Sequence, residues 1–193
     1  AAGAALTVSS TPRHPLLALR TQRLLSSLAE PYLDTGNKRN VALLVGKLLA
    51  GRRLLFLDDD IRGLTATQVR SAAAALGPGG MQVVGWRFFD FPDNSVACHA
   101  LRSCGREQDV FIGAGALLVQ LADPAGVPFF PPVYNEDWLF CLDAAVRRRL
   151  GVAGQVKQLD YDPFDDPHRA RQQEFGDVLA EGLYALVHDR RSV

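Results

Sequence analysis

The sequence predicts one α/β layered domain, on three observations. Short apolar runs alternate with amphipathic stretches along the 193 residues, which is typical of strands alternating with helices. Hydrophobic residues make up 48% of the chain and charged residues 22%, so a core of useful size can form. No repeat, low-complexity segment or linker divides the chain, so we assign residues 1–193 to a single domain.

In the first half, each element follows from its apolar pattern. We expect a strand at residues 5–9, then helices at 16–28 and 40–50. Residues 54–57 form a continuous apolar run, which predicts a central strand covered on both faces. An alanine-rich helix follows at residues 65–76 and ends at a glycine-rich turn.

In the second half, strands are predicted at residues 81–89, within 110–121 and at 156–161, and helices at 135–150 and 169–188. The last helix should turn an apolar stripe toward the core, made of Phe175, Val178, Leu179, Leu183 and Leu186. The loops at 91–108 and 123–134 are too long to be simple connections, and loops of that length are often functional.

Charge and cysteine content exclude several classes of protein. The 21 basic residues balance the 21 acidic ones, so general electrostatic binding to nucleic acid or an anionic membrane is not indicated. Three cysteines without C-x-x-C spacing argue against a disulfide framework and against a zinc site. No run approaches the ~18 apolar residues of a membrane span, and no signal peptide is recognisable. We therefore expect a cytoplasmic protein without a transmembrane segment.

Three consecutive aspartates, Asp58, Asp59 and Asp60, follow the apolar run at 54–57. Aspartate is a poor strand former, and three in a row place like charges within a few ångströms of one another. A divalent cation such as Mg²⁺ or Mn²⁺ would explain the cluster, because it prefers hard oxygen ligands. In open α/β sheets, ligands bind at the carboxyl ends of strands. The alternative is a solvated acidic turn.

The surroundings of the aspartates resemble those of the family 2-like glycosyltransferases with the GT-A fold. Residues 36–40 (Gly-Asn-Lys-Arg-Asn), one helix and an apolar strand ending in D-x-D are the features that carry this resemblance. It covers about residue 36 to the C-terminus. It implies a Rossmann-like three-layer sandwich with a mostly parallel central sheet. The region before residue 36 leaves little room for the second of the two strands that usually form the nucleotide pocket. Either this N-terminal part is abbreviated, or the chain lacks a segment present in a longer protein.

The resemblance also implies roles for the residues around the D-x-D run. Asp58, Asp59 and Arg39 would contact the nucleotide-sugar donor. Asp60, together with Asp58, would hold Mn²⁺ or Mg²⁺ on the donor diphosphate. The metal would neutralise the charge that grows on the nucleoside diphosphate as it leaves.

A second acidic motif, Asn135-Glu136-Asp137, opens the helix predicted at 135–150. Helix capping alone would account for it, since Asn is a favoured N-cap and acids in the first turn complement the helix dipole. By the same resemblance, however, Asp137 is the general base for the acceptor and Glu136 its neighbour. An acceptor hydroxyl is a weak nucleophile, so removal of its proton during attack helps transfer. We expect an inverting hexosyltransferase.

Four further residues are candidates by resemblance. Gly113 and Gly115 lie in the strand that precedes the acid pair, where small residues let the backbone approach the donor sugar; a bulge or close strand packing is the alternative. His168 would complete the metal ligands, or is an exposed histidine at a helix start. Arg169 would pair with the donor diphosphate, or solvates its helix.

The sequence thus predicts a metal-dependent transfer of a sugar from a UDP- or GDP-sugar to an unknown acceptor hydroxyl. One alternative is a catalytically silent binding module that retains a GT-A-like fold. Another is a haloacid-dehalogenase-like phosphatase, whose motif D-x-D-x-[T/V] fails here because Arg62 stands at the fifth position from Asp58.

Overall fold

The computed structural model describes residues 35–89, 112–123, 126–159 and 165–189, together with residues 5, 19–20, 100 and 103–105. Of residues 169, 188 and 189 it describes the backbone alone. The strand expected at 5–9, the helix at 16–28 and most of the loop at 91–108 lie outside these residues. In chain order the elements are α1 (Thr35–Leu48), β1 (Arg53–Leu57), β2 (Ile61–Arg62), α2 (Ala66–Ala75), β3 (Val83–Phe88), β4 (Ile112–Gln120), α3 (Glu136–Val146), β5 (Leu150–Gln158) and α4 (Pro167–Asp189).

The five strands form one mixed sheet in the order β1-β4-β3-β5-β2. β1, β3 and β5 run in one direction, whereas β4 and β2 run in the opposite direction. The α/β class is therefore confirmed. Three of the five described strands run in the same direction, as expected for a mostly parallel sheet. The pairing differs from that expectation, because β4 lies between β1 and β3, and β3–β5 is the parallel pair among the described strands.

Helices cover both faces of the sheet, since neighbouring strand residues point to opposite sides. On one face, Val83, Leu117 and Val119 pack with residues of α1 and α3. On the other face, Val84, Leu118 and Trp86 pack with residues of α2. All nine residues of β4 are buried. This arrangement is the three-layer sandwich expected from the sequence.

The strand that ends in the aspartates lies in a different place from the one predicted. β1 is at the end of the described sheet, and of its five residues only Phe56 is buried. The prediction of a doubly covered central strand is therefore wrong for residues 54–57 and fits β4 instead. A continuous apolar run does not distinguish the two positions, because both can be hydrophobic on each side.

α3 ends earlier than predicted, at Val146, and β5 begins at Leu150 instead of residue 156. Arg148 has φ 56°, which breaks the helix. Arg149 then donates through Nη2 to Asp123 Oδ2 at 2.5 Å and through Nε to the Gly80 carbonyl at 2.9 Å. The chain reverses here because distant partners fix Arg149, and the local apolar pattern carries no sign of them.

α4 begins at Pro167, two residues before the predicted start. Pro is favoured in the first helical turn, and Asp166 Oδ1 accepts a hydrogen bond from the His168 amide at 2.9 Å. The face turned toward the domain is made of small and polar residues, namely Gln173, Gly176, Asp177 and Ala180. The predicted apolar stripe is therefore wrong in part: Phe175, Val178 and Leu186 are exposed, whereas Leu179 and Leu183 are half-buried. Among the helices described, none has the length and apolar character needed to cross a bilayer.

Candidate active site at the carboxyl end of β1

Arg39 joins the two acidic motifs of the sequence. Its Nη2 lies 3.1 Å from Asp58 Oδ2, and its Nη1 donates to Glu136 Oε1. The side chains of Arg39 and Glu136 are 12% and 8% exposed, whereas that of Asp58 is 42% exposed. α1, the end of β1 and the start of α3 therefore meet at one guanidinium. We call Arg39, Asp58, Asp60, Glu136 and Asp137 the β1-end site.

The neighbour of Arg39 fixes the loop before α3. Asn40 is fully buried, and its amide donates to the Phe130 carbonyl at 2.9 Å and accepts from the Phe130 amide at 2.8 Å. The Phe130 ring stacks on Phe140 with a centroid distance of 4.0 Å and lies 5.8 Å from Arg39 Cζ. Buried polar groups need such partners. Asn40 thus holds the loop that leads to Glu136, and the Phe130 ring of that loop lies against the guanidinium of Arg39.

Asp137 lies against β4. Its Oδ2 accepts from the Ala114 amide and its Oδ1 from the Trp138 amide, each at 2.8 Å. A Cβ on Gly113 would lie 2.7 Å from the Phe88 ring and 3.3 Å from Asp137 Oδ2. A Cβ on Gly115 would lie 3.4 Å from Asp58 Oδ2. These glycines therefore let two carboxylates approach the strand, a role the sequence did not indicate. Their contact with a donor stays a prediction.

Asp60 has one oxygen engaged and one without a partner. Its Oδ2 accepts from Gln158 Nε2 at 2.9 Å, while its Oδ1 is buried and has no hydrogen-bond partner among the described residues. A buried acceptor left in this way costs about 1–3 kcal/mol. A cation would satisfy it, so the residues fit the predicted metal. Asp59 is exposed, and its contact with a donor stays a prediction.

The predicted set of three metal ligands is not assembled. Among the residues that the structure describes, no three or more His, Cys, Asp or Glu side chains come together as a metal site. His168 is exposed in the first turn of α4. Mg²⁺ is commonly held by one or two carboxylates together with substrate phosphates, so Asp58 and Asp60 remain the candidate ligands. The side chain of Arg169 lies outside the described residues.

Burial and mutual charge set the protonation of the site. Burial raises the pKa of Glu136 to about 7, with Arg39 opposing and Asp137 adding to the rise. Burial also raises the pKa of Asp58, which Arg39 lowers and Asp60 and Asp137 raise further. For Arg39, burial lowers the pKa, but Glu136, Asp58 and Asp137 together turn the net change upward. The guanidinium therefore stays charged and holds the acids together.

A side-chain cap does not explain Asn135, whereas Glu136 and Asp137 do lie in the first turn of α3, where acids complement the helix dipole. Asn135 has φ 59° and ψ 32°, and its side chain makes no cap hydrogen bond. Its Nδ2 instead donates to Asp177 Oδ1 of α4 at 2.6 Å. A left-handed non-glycine residue costs of order 1–3 kcal/mol and persists where the surroundings over-determine it. α4 thus fixes the backbone that presents Glu136 and Asp137.

The structure brings together the acids and the arginine that the sequence singled out, Asp58, Asp60, Arg39, Glu136 and Asp137. It also shows three residues that sequence reasoning missed: Asn40, Phe130 and Gln158. Asn40 belonged to the recognised run of residues 36–40 and was the one available signal. Phe130 and Gln158 carry no local signal, because their partners lie about 90 or more residues away.

Comparison with family models, curated proteins and solved structures finds no match to this chain.

Proposed function

We propose that this protein is a metal-dependent glycosyltransferase with a GT-A-like fold, which moves a sugar from a UDP- or GDP-sugar to an acceptor hydroxyl. The observation that carries the proposal is the buried, unpartnered Asp60 Oδ1 at the end of β1. The neighbouring carboxylates of Asp58 and Asp137, which hydrogen bonds hold in place, support the same function. So does the resemblance of residues 36–40, 58–60 and 135–137 to family 2-like glycosyltransferases.

On the donor side, Asp60 and Asp58 would hold Mn²⁺ or Mg²⁺, which when bound neutralises charge on the departing diphosphate. Arg39 fixes Asp58 through Oδ2. Because 42% of the Asp58 side chain is exposed, the carboxylate is accessible to a donor. Asp59 is exposed on the same turn and is available to the nucleotide.

On the acceptor side, Asp137 is the base. Both of its oxygens accept a backbone N–H, which fixes the orientation of the carboxylate. Each carboxylate oxygen has a second lone pair, so a proton can still be accepted. Glu136 is buried and paired with Arg39. We therefore assign Glu136 to positioning Arg39 and not to contact with the acceptor.

The phosphatase alternative is less compatible with this geometry. A phosphatase of that class needs the first aspartate as a free nucleophile, whereas Asp58 is bound to Arg39 through Oδ2. A silent binding module would share all of this geometry and is separated from an enzyme by the measurements below.

We expect the protein to bind a UDP- or GDP-sugar only with Mn²⁺ or Mg²⁺ present, because the acids repel a diphosphate without the cation. Calorimetry with each donor, with and without metal, measures this. D60A should abolish the metal dependence, while D143A, which removes an exposed acid of α3 outside the site, should retain it. Absence of nucleotide binding by the wild type with metal present would contradict the proposal.

D137N should retain donor binding and lose transfer, because the variant cannot accept the acceptor's proton. A general base contributes typically about 10²–10⁴-fold to rate. Turnover assays measure the rate, and calorimetry on the same variant is the control for binding. Undiminished turnover would exclude Asp137 as the base. Donor binding without turnover by the wild type toward any acceptor would favour the binding module. Aryl phosphate hydrolysis that is lost in D58N would favour the phosphatase.

A further inference from the structure

Gln158 ties the end of β5 to the turn that carries the aspartates. It is the cross-strand partner of Ile61 in the short β2–β5 pairing. Next to it, the Leu159 amide donates to the Asp60 carbonyl at 3.3 Å. The Gln158 side chain then donates through Nε2 to Asp60 Oδ2 at 2.9 Å. Backbone and side chain of β5 therefore hold the same aspartate.

The contact decides which oxygen of Asp60 is left over. A carboxylate can exchange its two oxygens by rotation about its last side-chain bond, which is a broad torsion. With Oδ2 engaged by Gln158, Oδ1 remains as the buried oxygen that no described residue contacts through a hydrogen bond. That oxygen is the one available to a cation.

The chemical type of the donor matters as much as its position. Gln158 is a neutral amide, so its hydrogen bond orients Asp60 without cancelling the carboxylate charge. Asp58, in contrast, is held by the positive charge of Arg39. The site thus contains one aspartate paired with a cationic side chain and one held by a neutral group. The second kind of partner preserves the full charge that a divalent ion requires.

We propose that Gln158 is a positioning residue that orients Asp60 as a monodentate ligand for the metal ion. This inference rests on the proposed function, because the cation is the one that the donor diphosphate would share. Hydrogen-bond partners of ligating carboxylates commonly control metal affinity by about 10–100-fold. None of the patterns in the sequence indicated Gln158.

The test is a titration of the full chain with Mn²⁺, in which the free ion is followed by electron paramagnetic resonance. It is run with Mn²⁺ alone and with UDP or GDP added. Q158L removes the donor and should weaken Mn²⁺ binding by about 10–100-fold. Q158K replaces the neutral donor by a cation and should weaken it at least as much, because the new ammonium competes with the metal.

Q155K is the matched control. Gln155 is an exposed residue of the same strand, so this variant adds the same charge without contact to Asp60. It should bind Mn²⁺ nearly as the wild type does. Thermal unfolding without metal separates positioning from a structural role: a lysine that pairs with Asp60 should maintain or raise the unfolding temperature of Q158K while its Mn²⁺ affinity falls.

Two results would overturn the inference and leave the proposed function intact. One is a Mn²⁺ affinity of both Q158L and Q158K that equals the affinity of the wild type. The other is an equal loss in Q158K and Q155K, which would indicate a general charge effect. If the wild type itself binds no Mn²⁺ with or without nucleotide, the proposed function fails and the inference fails with it.

Discussion

At the scale of single residues, the acids of the β1-end site differ in what holds them. Asp58 and Glu136 contact a guanidinium, Asp60 contacts a neutral amide, and Asp137 contacts two backbone amides. Charged partners reduce the negative charge available to a ligand, whereas neutral ones orient a carboxylate and leave its charge in place. On the function proposed above, this difference in partners suits Asp60 for a cation and Asp137 for a proton.

Glu136 should make stability depend on pH. Its pKa in the folded protein lies above the ordinary 4.5, at about 7. Between these values the folded chain retains the proton that the unfolded chain has lost. The stabilising contribution is complete below pH 4.5 and is lost as the pH rises through about 7. The free energy of unfolding relative to E136Q should therefore fall over this range, by at most about 1.4 kcal/mol per pH unit.

Urea unfolding of the wild type and E136Q across this pH range measures the effect. Glutamine retains an oxygen that can accept from Arg39, so E136Q removes the titration and not the hydrogen bond. The dependence of the unfolding free energy on urea concentration is the internal control, and should be equal in the two proteins. A difference between the proteins that does not change with pH, or that grows as pH rises, would contradict the prediction.

At the scale of elements, α4 positions α3 through one close approach. A Cβ on Gly176 would lie 2.2 Å from the Tyr134 carbonyl oxygen. At the next residue of each of the two segments, Asn135 donates to Asp177 at 2.6 Å. The Tyr184 hydroxyl also donates to the Trp138 carbonyl at 3.0 Å. α4 therefore supports the turn that presents the acid pair, although none of its described side chains belongs to the site.

Two glycines of α4 give a matched pair of substitutions. G176A must displace a backbone carbonyl, and we expect it to destabilise the protein by about 1–3 kcal/mol or more. G182A introduces a methyl group at an exposed helical position that has no atom of the described residues within 4 Å. It should stabilise the protein by about 0.5–1 kcal/mol, because alanine is the better helix former.

Chemical denaturation of both variants is the measurement, and each serves as the control for the other. The same substitution in the same helix should change stability in opposite directions. Equal effects of G176A and G182A would show that α4 does not approach the Tyr134 carbonyl as closely as described.

At the scale of the whole molecule, the sheet brings segments that are distant in sequence to the end of β1 where the site lies. β1 and β4 are antiparallel, with Leu57 opposite Ala116. The end of β1 therefore lies beside the beginning of β4, where the Ala114 amide holds Asp137. β5 runs parallel to β3 and ends beside β2, so Gln158 reaches the aspartate turn. The site is thus a consequence of strand order and direction.

Much of this molecule could be predicted from the sequence. The α/β class and most of the described helices and strands follow from apolar spacing, and the acids of the candidate site were singled out by short motifs that resemble a known family. Those features depend on neighbours within one or two turns of helix or a few residues of strand, and the sequence displays such neighbours directly.

The predictions that were wrong concern features that depend on contacts between residues far apart in the sequence. The boundary between α3 and β5 depends on Arg149 and its partners Asp123 and Gly80. The orientation of α4 depends on the contact of Gly176 with Tyr134. Three of the five residues of its predicted apolar stripe are exposed within the described part of the chain, and the face around Gly176 is turned to the domain.

The sequence by itself determined that three aspartates follow a strand and that an acid pair opens a later helix. Only the tertiary structure decided which group holds each acid. Arg39 and Glu136 are 97 residues apart, and Asp60 and Gln158 are 98 residues apart. The physical reason is that hydrogen bonds and charge pairing act over a few ångströms of space. The sheet sets that distance, and the spacing of residues along the chain does not.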